Sequence, residues 1–274
     1  MKQPTTDYKK SSFGPAFLFL DPKRRRALAA YYAIFRHMDD IADEPEIVDK
    51  QAQLDFWKQE IARVFSGNAE TDLGKELQQQ VQEFAIPETC FLQLIEGMQA
   101  DVQTRAYGTL QDLQWYLWRV AGVVGLAILH IIGIKGPKAD ELARELGFAV
   151  QLTNIVRDIQ EDARLNRVYI PVQLLQRYGV TPVDILQDLQ SVQLTQVLRV
   201  LAQMAQEHYT RAEQIMNTLP SRKMLPCRIM GFVYQKNLAK IEKKGFMFQK
   251  PVKLSKLEKL TACVYALYKT MVTH

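Results

Sequence analysis

The sequence predicts an all-α fold, and three observations support this prediction. Apolar residues recur at the three-to-four-residue spacing of an amphipathic helix almost throughout the 274 residues. No segment stands out with the two-residue period of a strand, and proline and glycine are sparse outside the breaks between helical segments. No long linker or low-complexity stretch divides the chain. We therefore expect residues 1–274 to form a single domain, a bundle of about ten helices around a central cavity.

The first predicted helix, 22–43, has well-marked boundaries. Asp21 suits the N-cap and Pro22 the first helical position, while Pro45 stops the helix soon after its end. Residues 165–172 carry no helical pattern and are expected to be extended or looped. The remaining predicted helices span 49–65, 72–84, 88–104, 111–134, 138–164, 174–178, 182–189, 195–219, 222–244 and 256–272.

The balance of charge argues against a nucleic-acid-binding protein. The net charge of +5 comes without an arginine-rich arm or interleaved aromatic residues, so we predict no nucleic-acid site. A mildly basic chain suits an anionic substrate or an anionic membrane surface.

Cysteine use and hydropathy bear on the compartment. Cys90, Cys227 and Cys263 have no CxxC spacing, which favours a reducing environment and argues against a zinc site. The N-terminus has no signal-peptide core, and the longest apolar run, 120–134, is broken by His130 and is shorter than the ~20 residues of a membrane span. We therefore expect no transmembrane segment and a cytoplasmic location, with at most peripheral contact with the inner membrane.

An acidic pair lies near the end of the first predicted helix. Asp39 and Asp43 are four residues apart and share a helix face, with Arg36 one turn before them. Like charges at this spacing cost an isolated helix roughly 0.2–0.5 kcal/mol per pair, which a bound cation would offset. A solvated acidic face is the simpler interpretation of the pair alone, but the rest of this helix is apolar and aromatic and belongs in a core.

A second polar stripe runs along the predicted helix 138–164. Asn154, Asp158 and Asp162 follow one another at four-residue spacing, among apolar residues such as Ile155 that belong in the core. Buried carboxylates without partners are costly, so we expect a metal ion or an arginine beside them. Mg²⁺ takes one or two carboxylates and completes its coordination with water and phosphate oxygens. Two such stripes facing one cavity would bind a diphosphate, although a structural salt-bridge network remains the alternative for either stripe alone.

These motifs and their neighbours give the chain a specific resemblance. The segments concerned are Tyr32-Ala33-Ile34-Phe35-Arg36, Val120-Ala121-Gly122-Val123-Val124-Gly125, Gln151-Leu152-Thr153-Asn154-Ile155-Val156-Arg157-Asp158 and Arg167-Val168-Tyr169-Ile170-Pro171. The chain resembles the squalene/phytoene synthase family, helical isoprenoid synthases that join two prenyl diphosphates head to head. Within the family it is most similar to the presqualene diphosphate synthases of bacterial hopanoid pathways, through the segments 226–234 and 252–260.

The resemblance implies roles for individual residues. The positions that match the family's metal ligands are Asp39, Asp43, Asn154, Asp158 and Asp162. The positions that match its substrate-binding residues are Ser12, Phe13, Phe17, Tyr32, Arg36, Gln151, Asn154, Arg157, Tyr234 and Lys250. Those expected to act in the chemistry itself are Tyr32, Arg36, Asp39, Asp158 and Tyr234.

Three positions depart from the family pattern. Trp118 stands where relatives have a tyrosine and therefore lacks the hydroxyl. Lys250 stands in place of an arginine, which keeps the charge but loses the bidentate fork. Arg105 is displaced by one position from the usual arginine. None of the three is a predicted metal ligand.

The resemblance also implies the reaction. It is the Mg²⁺-dependent condensation of two farnesyl diphosphates to presqualene diphosphate, with release of diphosphate. Phytoene or dehydrosqualene synthesis is the nearest alternative. A non-catalytic relative acting as an assembly factor, or a helical binding protein for prenyl diphosphates, is an alternative of a different class; the intact metal motifs argue against the assembly factor. No glycine-rich dinucleotide fingerprint is present, and NADPH use stays open.

Gly122 and Gly125 suit either close helix packing or approach of the backbone to an isoprenoid chain.

Overall fold

The all-α prediction is confirmed. The structure is a computed structural model that describes residues 19–103, 106–187, 191–246 and 251–272, and these ranges contain no β-strand. The helices are α1 (Pro22–Asp43), α2 (Lys50–Ser66), α3 (Asp72–Phe84), α4 (Glu88–Val102), α5 (Leu110–Leu117), α6 (Val123–Ile132), α7 (Pro137–Arg164), α8 (Val172–Arg177), α9 (Pro182–Leu186), α10 (Val192–Met216), α11 (Ser221–Lys243) and α12 (Lys256–Val272).

The predicted helix boundaries agree with these bounds to within a few residues. The start of α1 has the expected chemistry, since the Asp21 side chain accepts hydrogen bonds from the backbone N–H groups of Lys23 and Arg24. Pro22 occupies the first helical turn, where a missing N–H costs nothing.

The helix predicted over 111–134 is interrupted. A π-helical turn, Trp118–Gly122, separates α5 from α6. A Cβ at Gly122 would lie 2.4 Å from the Trp118 ring, and a Cβ at Gly147 of α7 would lie 2.9 Å from the Gly122 Cα. Gly122 therefore serves close packing of the indole ring and of α7. Sequence periodicity does not detect such a turn, because the apolar pattern continues through it.

The longest helix, α7, connects the two halves of the chain. It packs against α6 and the π-helical turn on the N-terminal side and against α10 and α11 on the C-terminal side. Its buried face includes Leu146, Phe148 and Leu152. Helices from both halves of the chain thus pack against α7. This packing fixes the position of the second polar stripe, which α7 carries.

A smaller apolar cluster joins the last helix to the body of the molecule. Ile229 and Val233 of α11 pack against Ala262 and Ala266 of α12. The small alanine side chains let α12 lie close along the outer side of α11.

A buried glutamate organises the connection between α2 and α3. Glu60 is fully buried and accepts hydrogen bonds from the backbone N–H groups of Glu70 and Thr71, from the Thr71 hydroxyl and from the Arg63 guanidinium. A Cβ at Gly74 would lie 2.2 Å from the Glu60 Oε1 atom, so the carboxylate occupies the space that a side chain there would need. These contacts stabilise the loop 67–71.

One stretch of the described chain, Leu110–Ile132, is long and apolar enough to cross a membrane by length and composition. The apolar run 120–134 covers only part of this stretch, which has 23 residues because it starts at Leu110, close to the start of the predicted helix 111–134. In the fold, 61% of the apolar window is buried, and a core helix passes the same test. The absence of a transmembrane segment stays a prediction.

Candidate active site

A cavity of about 510 Å³ lies between α1, α4, α6, α7 and α11. The residues of α7 that line it change in character along the helix: Leu142, Leu146 and Val150 come first, then Asn154, Asp158 and Asp162. At 1.5 Å per residue this wall is roughly 30 Å long. The cavity therefore has an apolar half and a polar half, which suits an amphiphilic ligand with a long hydrocarbon chain and an anionic head.

The acidic end of α1 forms one side of the polar half. The Arg36 Nη1 atom donates to Asp39 Oδ2 at 2.8 Å, and Arg36 Nη2 lies 2.6 Å from Asp40 Oδ1. Asp43 accepts a 2.6 Å hydrogen bond from Arg167, which follows α7. Burial, and then the neighbouring charge of Asp43, raise the pKa of Asp39 to about 7. This carboxyl is thus poised to gain from any additional positive charge in the cavity.

The second polar stripe forms the opposite side. Asp158 accepts two hydrogen bonds from the guanidinium of Arg157, at 2.7 and 2.5 Å. The Asn154 amide donates to Gln151 Oε1 at 3.1 Å, but its own carbonyl oxygen Oδ1 is buried without a hydrogen-bond partner. Burial, and then the charge of Asp158, raise the pKa of Asp162 well above its usual value. A cation bound here would give the Asn154 oxygen a partner and would neutralise the neighbouring carboxylates.

A buried aspartate with two tyrosines lies beside these stripes. Asp101 of α4 accepts hydrogen bonds from the hydroxyls of Tyr116 at 3.0 Å and Tyr169 at 2.8 Å. The two tyrosine rings stack with centroids 4.8 Å apart, and all three residues line the cavity. Burial raises the pKa of Asp101 to about 6, although Arg167 and the two hydroxyls oppose the shift. Asp101 therefore adds a further carboxylate to the polar half.

Comparison with known proteins identifies the family. The family described as Squalene/phytoene synthase matches residues 7–258. The chain belongs to the squalene/phytoene synthase family. Members of this family are prenyltransferases that join prenyl diphosphates, so the protein is an enzyme of this type, and the family generally uses a divalent metal.

Curated members of the squalene/phytoene synthase family cover most of the chain. A presqualene diphosphate synthase of Rhodopseudomonas palustris is 35% identical over 91% of this chain and 90% of its own length. A second, from Zymomonas mobilis, is 33% identical over 97% of this chain and 90% of its own length. Phytoene synthase 1 of Solanum lycopersicum is 32% identical over 97% of this chain and 66% of its own length.

Solved structures of the family share the fold. A squalene synthase from Alicyclobacillus acidocaldarius matches with a TM-score of 0.82 and 27% identity, covering 91% of this chain and 93% of that one. A dehydrosqualene synthase in complex with a ligand matches with a TM-score of 0.86 and 26% identity, covering 96% of this chain and 93% of that one. The helical bundle around a cavity is therefore the isoprenoid synthase fold of this squalene/phytoene synthase.

Most of the predicted site residues line the cavity together. They are Tyr32, Arg36, Asp39, Asp43, Gln151, Asn154, Arg157, Asp158, Asp162 and Tyr234. Four others, Ser12, Phe13, Phe17 and Lys250, lie outside the described residues, as does Arg105. Of the two glycines with open roles, Gly125 lines the cavity, whereas Gly122 is a packing position.

The polar half fits a divalent cation that shares its coordination with a ligand. Among the described residues, no three histidine, cysteine or acidic side chains gather closely enough to hold an ion by themselves. Instead, the carboxylates stand on two facing helices and two of them are paired with Arg157 and Arg167. The unpartnered Asn154 oxygen completes an all-oxygen donor set of the kind that hard cations prefer. Diphosphate oxygens bound between the stripes would supply the remaining ligands.

Sequence reasoning missed four cavity residues and explains one departure. Asp101, Tyr116, Arg167 and Tyr169 were given no role, because Asp101 is a lone acid in an amphipathic helix and its partners come from two other segments, α5 and the loop after α7. The Trp118 ring is not among the cavity-lining residues. Its Nε1 atom donates a 2.8 Å hydrogen bond to Gln93. The departure from tyrosine at position 118 therefore changes a side of the helix that faces away from the cavity.

Proposed function

We propose that this enzyme joins two molecules of farnesyl diphosphate head to head, with Mg²⁺, to give presqualene diphosphate and free diphosphate. The observation that carries the proposal is the two-part cavity. Its polar half brings the Asp39–Asp43 pair and the Asn154–Asp158–Asp162 stripe to facing walls, and its apolar half extends along α7. Presqualene diphosphate synthases at 33–35% identity over more than nine tenths of the chain support this substrate and product.

The residues of the polar half bind the two diphosphate groups. Arg36, Arg157 and Arg167 line it and supply guanidinium groups that match phosphate oxygens in a bidentate manner. The carboxylates and Asn154 would hold Mg²⁺. When bound, Mg²⁺ neutralises the diphosphate and so makes it a better leaving group. The arginines that now pair with these carboxylates would bind phosphate oxygens, and the carboxylates would hold the cation.

The walls of the apolar half protect the reacting carbons. Departure of diphosphate from one farnesyl group leaves an allylic cation at its first carbon, and the double bond nearest the diphosphate of the second molecule attacks that carbon. Loss of one proton closes the cyclopropane, so two substrates give one presqualene diphosphate, one diphosphate and one proton. Leu146, Val150 and Met230 exclude the water that would quench the cation. Tyr32 and Tyr234 stand at the cavity wall, where an aromatic face stabilises positive charge.

Phytoene synthesis is the second candidate function. Phytoene synthases from plants and cyanobacteria match the chain at 28–32% identity. They differ from the first candidate in the length of the prenyl chain and in the fate of the cyclopropane.

A product assay separates these candidates. Purified protein is incubated with Mg²⁺ and either farnesyl or geranylgeranyl diphosphate, with and without NADPH, and the products are identified by mass analysis. We expect presqualene diphosphate from farnesyl diphosphate, unchanged by NADPH. Phytoene from the longer substrate would move the enzyme to the carotenoid branch, and no product from either would overturn the proposal in favour of a non-catalytic relative.

A further inference from the structure

The outward face of α12 is a stripe of apolar side chains. Leu257, Leu260, Val264, Tyr268 and Met271 recur at spacings of three and four residues and therefore share one face of the helix. Each is between 57% and 70% exposed. A contiguous apolar stripe over four helical turns is unusual on a free surface and marks a contact with another phase or molecule.

The stripe is held outward by the way α12 is fastened to the protein. The opposite face carries Ala262 and Ala266, which pack against α11. At one end the Ser221 hydroxyl donates to the backbone oxygen of Thr270 at 2.8 Å. At the other, Lys240 forms an ion pair with Glu258 at 2.8 Å. The helix is thus docked by its small-residue face, and its large apolar residues are the ones left in solvent.

The segment that leads into α12 carries all the excess positive charge of the chain. Residues 236–259 contain eight lysines and two glutamates, whereas the other 250 residues contain 27 basic and 28 acidic side chains. Among the described lysines, Lys243, Lys244, Lys253 and Lys256 are exposed, and one of the two glutamates, Glu258, is paired with Lys240. Positive charge is therefore concentrated at the end of the molecule where the apolar stripe begins.

We propose that α12 and the described lysines that lead into it, in 236–244 and 253–259, form a docking surface for an anionic phospholipid bilayer. An amphipathic helix with lysines beside an apolar face lies in the interface plane, with its apolar side chains among the acyl chains. Tyr268 of the stripe and the exposed Tyr265 beside it are tyrosines, whose side chains favour the boundary between headgroups and hydrocarbon. A second copy of the chain would bring the same excess of positive charge to the contact, whereas anionic headgroups bring the opposite charge.

The docking surface lies one helix away from the cavity. On α11, Ile229 and Val233 face α12, while Cys227, Met230 and Tyr234 line the cavity. The helix that bears the docking surface is therefore separated from the cavity only by α11. The proposal rests on the surface alone and holds whichever prenyl diphosphate the cavity accepts.

Vesicle flotation of the purified full chain tests the docking surface. The protein is mixed with vesicles of phosphatidylcholine alone, or of phosphatidylcholine with phosphatidylglycerol. We expect binding to the anionic vesicles and loss of that binding at high salt. Leu260→Ser with Val264→Ser should lower the partition coefficient roughly tenfold or more. Lys253→Gln with Lys256→Gln should lower it about fivefold for each lysine removed.

A matched control variant shows whether the loss of vesicle binding is specific to the stripe. Val48→Ser with Val192→Ser removes two apolar side chains elsewhere on the surface that are even more exposed, and this variant should bind like the wild type. Circular dichroism shows whether each variant is folded, and activity toward substrate in detergent should be unchanged in all of them. Equal binding of the wild type and the Leu260→Ser/Val264→Ser variant would overturn the proposal, as would no binding by the wild type. Sedimentation without lipid tests the competing occupant: a wild-type dimer that this variant dissociates would show that the stripe joins two copies.

Discussion

The fold treats its buried carboxylates in two opposite ways. At the α2–α3 connection, burial of Glu60 is outweighed by hydrogen bonds from the backbone and hydroxyl of Thr71, from Arg63 and from Glu70, and its pKa is lowered. In the cavity, burial raises the pKa of Asp39, Asp101 and Asp162. Glu60, which serves folding, is fully supplied with hydrogen-bond donors. Around the cavity carboxylates, the donors and positive charges do not compensate for burial. The second state is costly for the protein alone and favourable for binding a cation.

The largest effect should come from removing a cavity carboxylate. Asp158→Ala should lower turnover by at least about a thousandfold, because a carboxylate that would hold the cation at the leaving diphosphate is lost. The helix content and the free energy of unfolding should stay near those of the wild type. Steady-state kinetics and chemical denaturation measure the two quantities. An active Asp158→Ala variant would remove Asp158 from the metal-binding residues.

A change at the buried Glu60 should have the opposite effect, a loss of stability without a loss of turnover. Glu60→Gln keeps the size of the side chain but removes the charge that four donors stabilise, and it should lower the free energy of unfolding by about 3 kcal/mol. Turnover per folded molecule should be unchanged, since Glu60 does not line the cavity. Urea titration and kinetics at a temperature where the variant is folded provide the test. A loss of turnover without a loss of stability would break the contrast between the two sites.

The stability of the metal-free protein should depend on pH, and the raised pKa values of the cavity carboxyls decide the direction of that dependence. Asp39 and Asp101 have pKa values of about 7 and about 6 in the fold against 3.8 for an ordinary aspartate, so between pH 4 and 7 the folded state binds more protons than the unfolded state. Their contribution to stability is then present at low pH and is lost as the pH rises through this window, by at most about 7 kcal/mol for the two carboxyls together. The contribution of Glu60, whose pKa is lowered, has the opposite sign and is present above pH 4.5.

Melting curves at pH 5 and pH 8 measure this dependence. Mg²⁺ with inorganic diphosphate should restore stability mainly at pH 8, because it compensates the ionised cavity carboxylates. The control is the Asp101→Asn variant, in which the pH-dependent loss should shrink. If the metal-free protein is equally stable at both pH values, the cavity carboxylates are not held in the strained state described above.

The smallest effect should come from Trp118. Trp118→Phe removes the hydrogen bond to Gln93 and should cost about 1 kcal/mol of stability. Turnover should change by no more than about threefold, an effect of less than 1 kcal/mol on the barrier, because the ring lies away from the cavity lining. Kinetics of Trp118→Phe beside Asp158→Ala give a direct comparison. A loss of turnover in Trp118→Phe as large as that in Asp158→Ala would mean that the indole ring acts on the substrate.

The sequence predicted the helices and the two polar stripes because both depend on local spacing. Asp21 with Pro22 marks the start of α1, and the four-residue spacing of Asn154, Asp158 and Asp162 shows that they share a helix face. The pairing of Asp43 with Arg167, and of Asp101 with two tyrosines, joins residues that are far apart in the chain. No local pattern encodes such contacts, because they depend on how the helices pack. The π-helical turn at Trp118 was missed for a related reason: its hydrogen-bond shift leaves the apolar pattern intact.

The contact between Glu60 and Gly74 also constrains how the sequence can change over evolutionary time. With Glu60 present, any side chain at position 74 collides with the carboxylate, so Gly74 is fixed while the glutamate remains. Shortening Glu60 first would remove the nearest contact and leave the Thr71 hydroxyl 2.9 Å from the new Cβ, so a substitution at Gly74 would then cost less. The two positions are therefore epistatic: loss of the glutamate has its own cost in stability, and it lowers the cost of a later change at Gly74. Homologues that have lost the glutamate are where residues other than glycine should first be found at position 74.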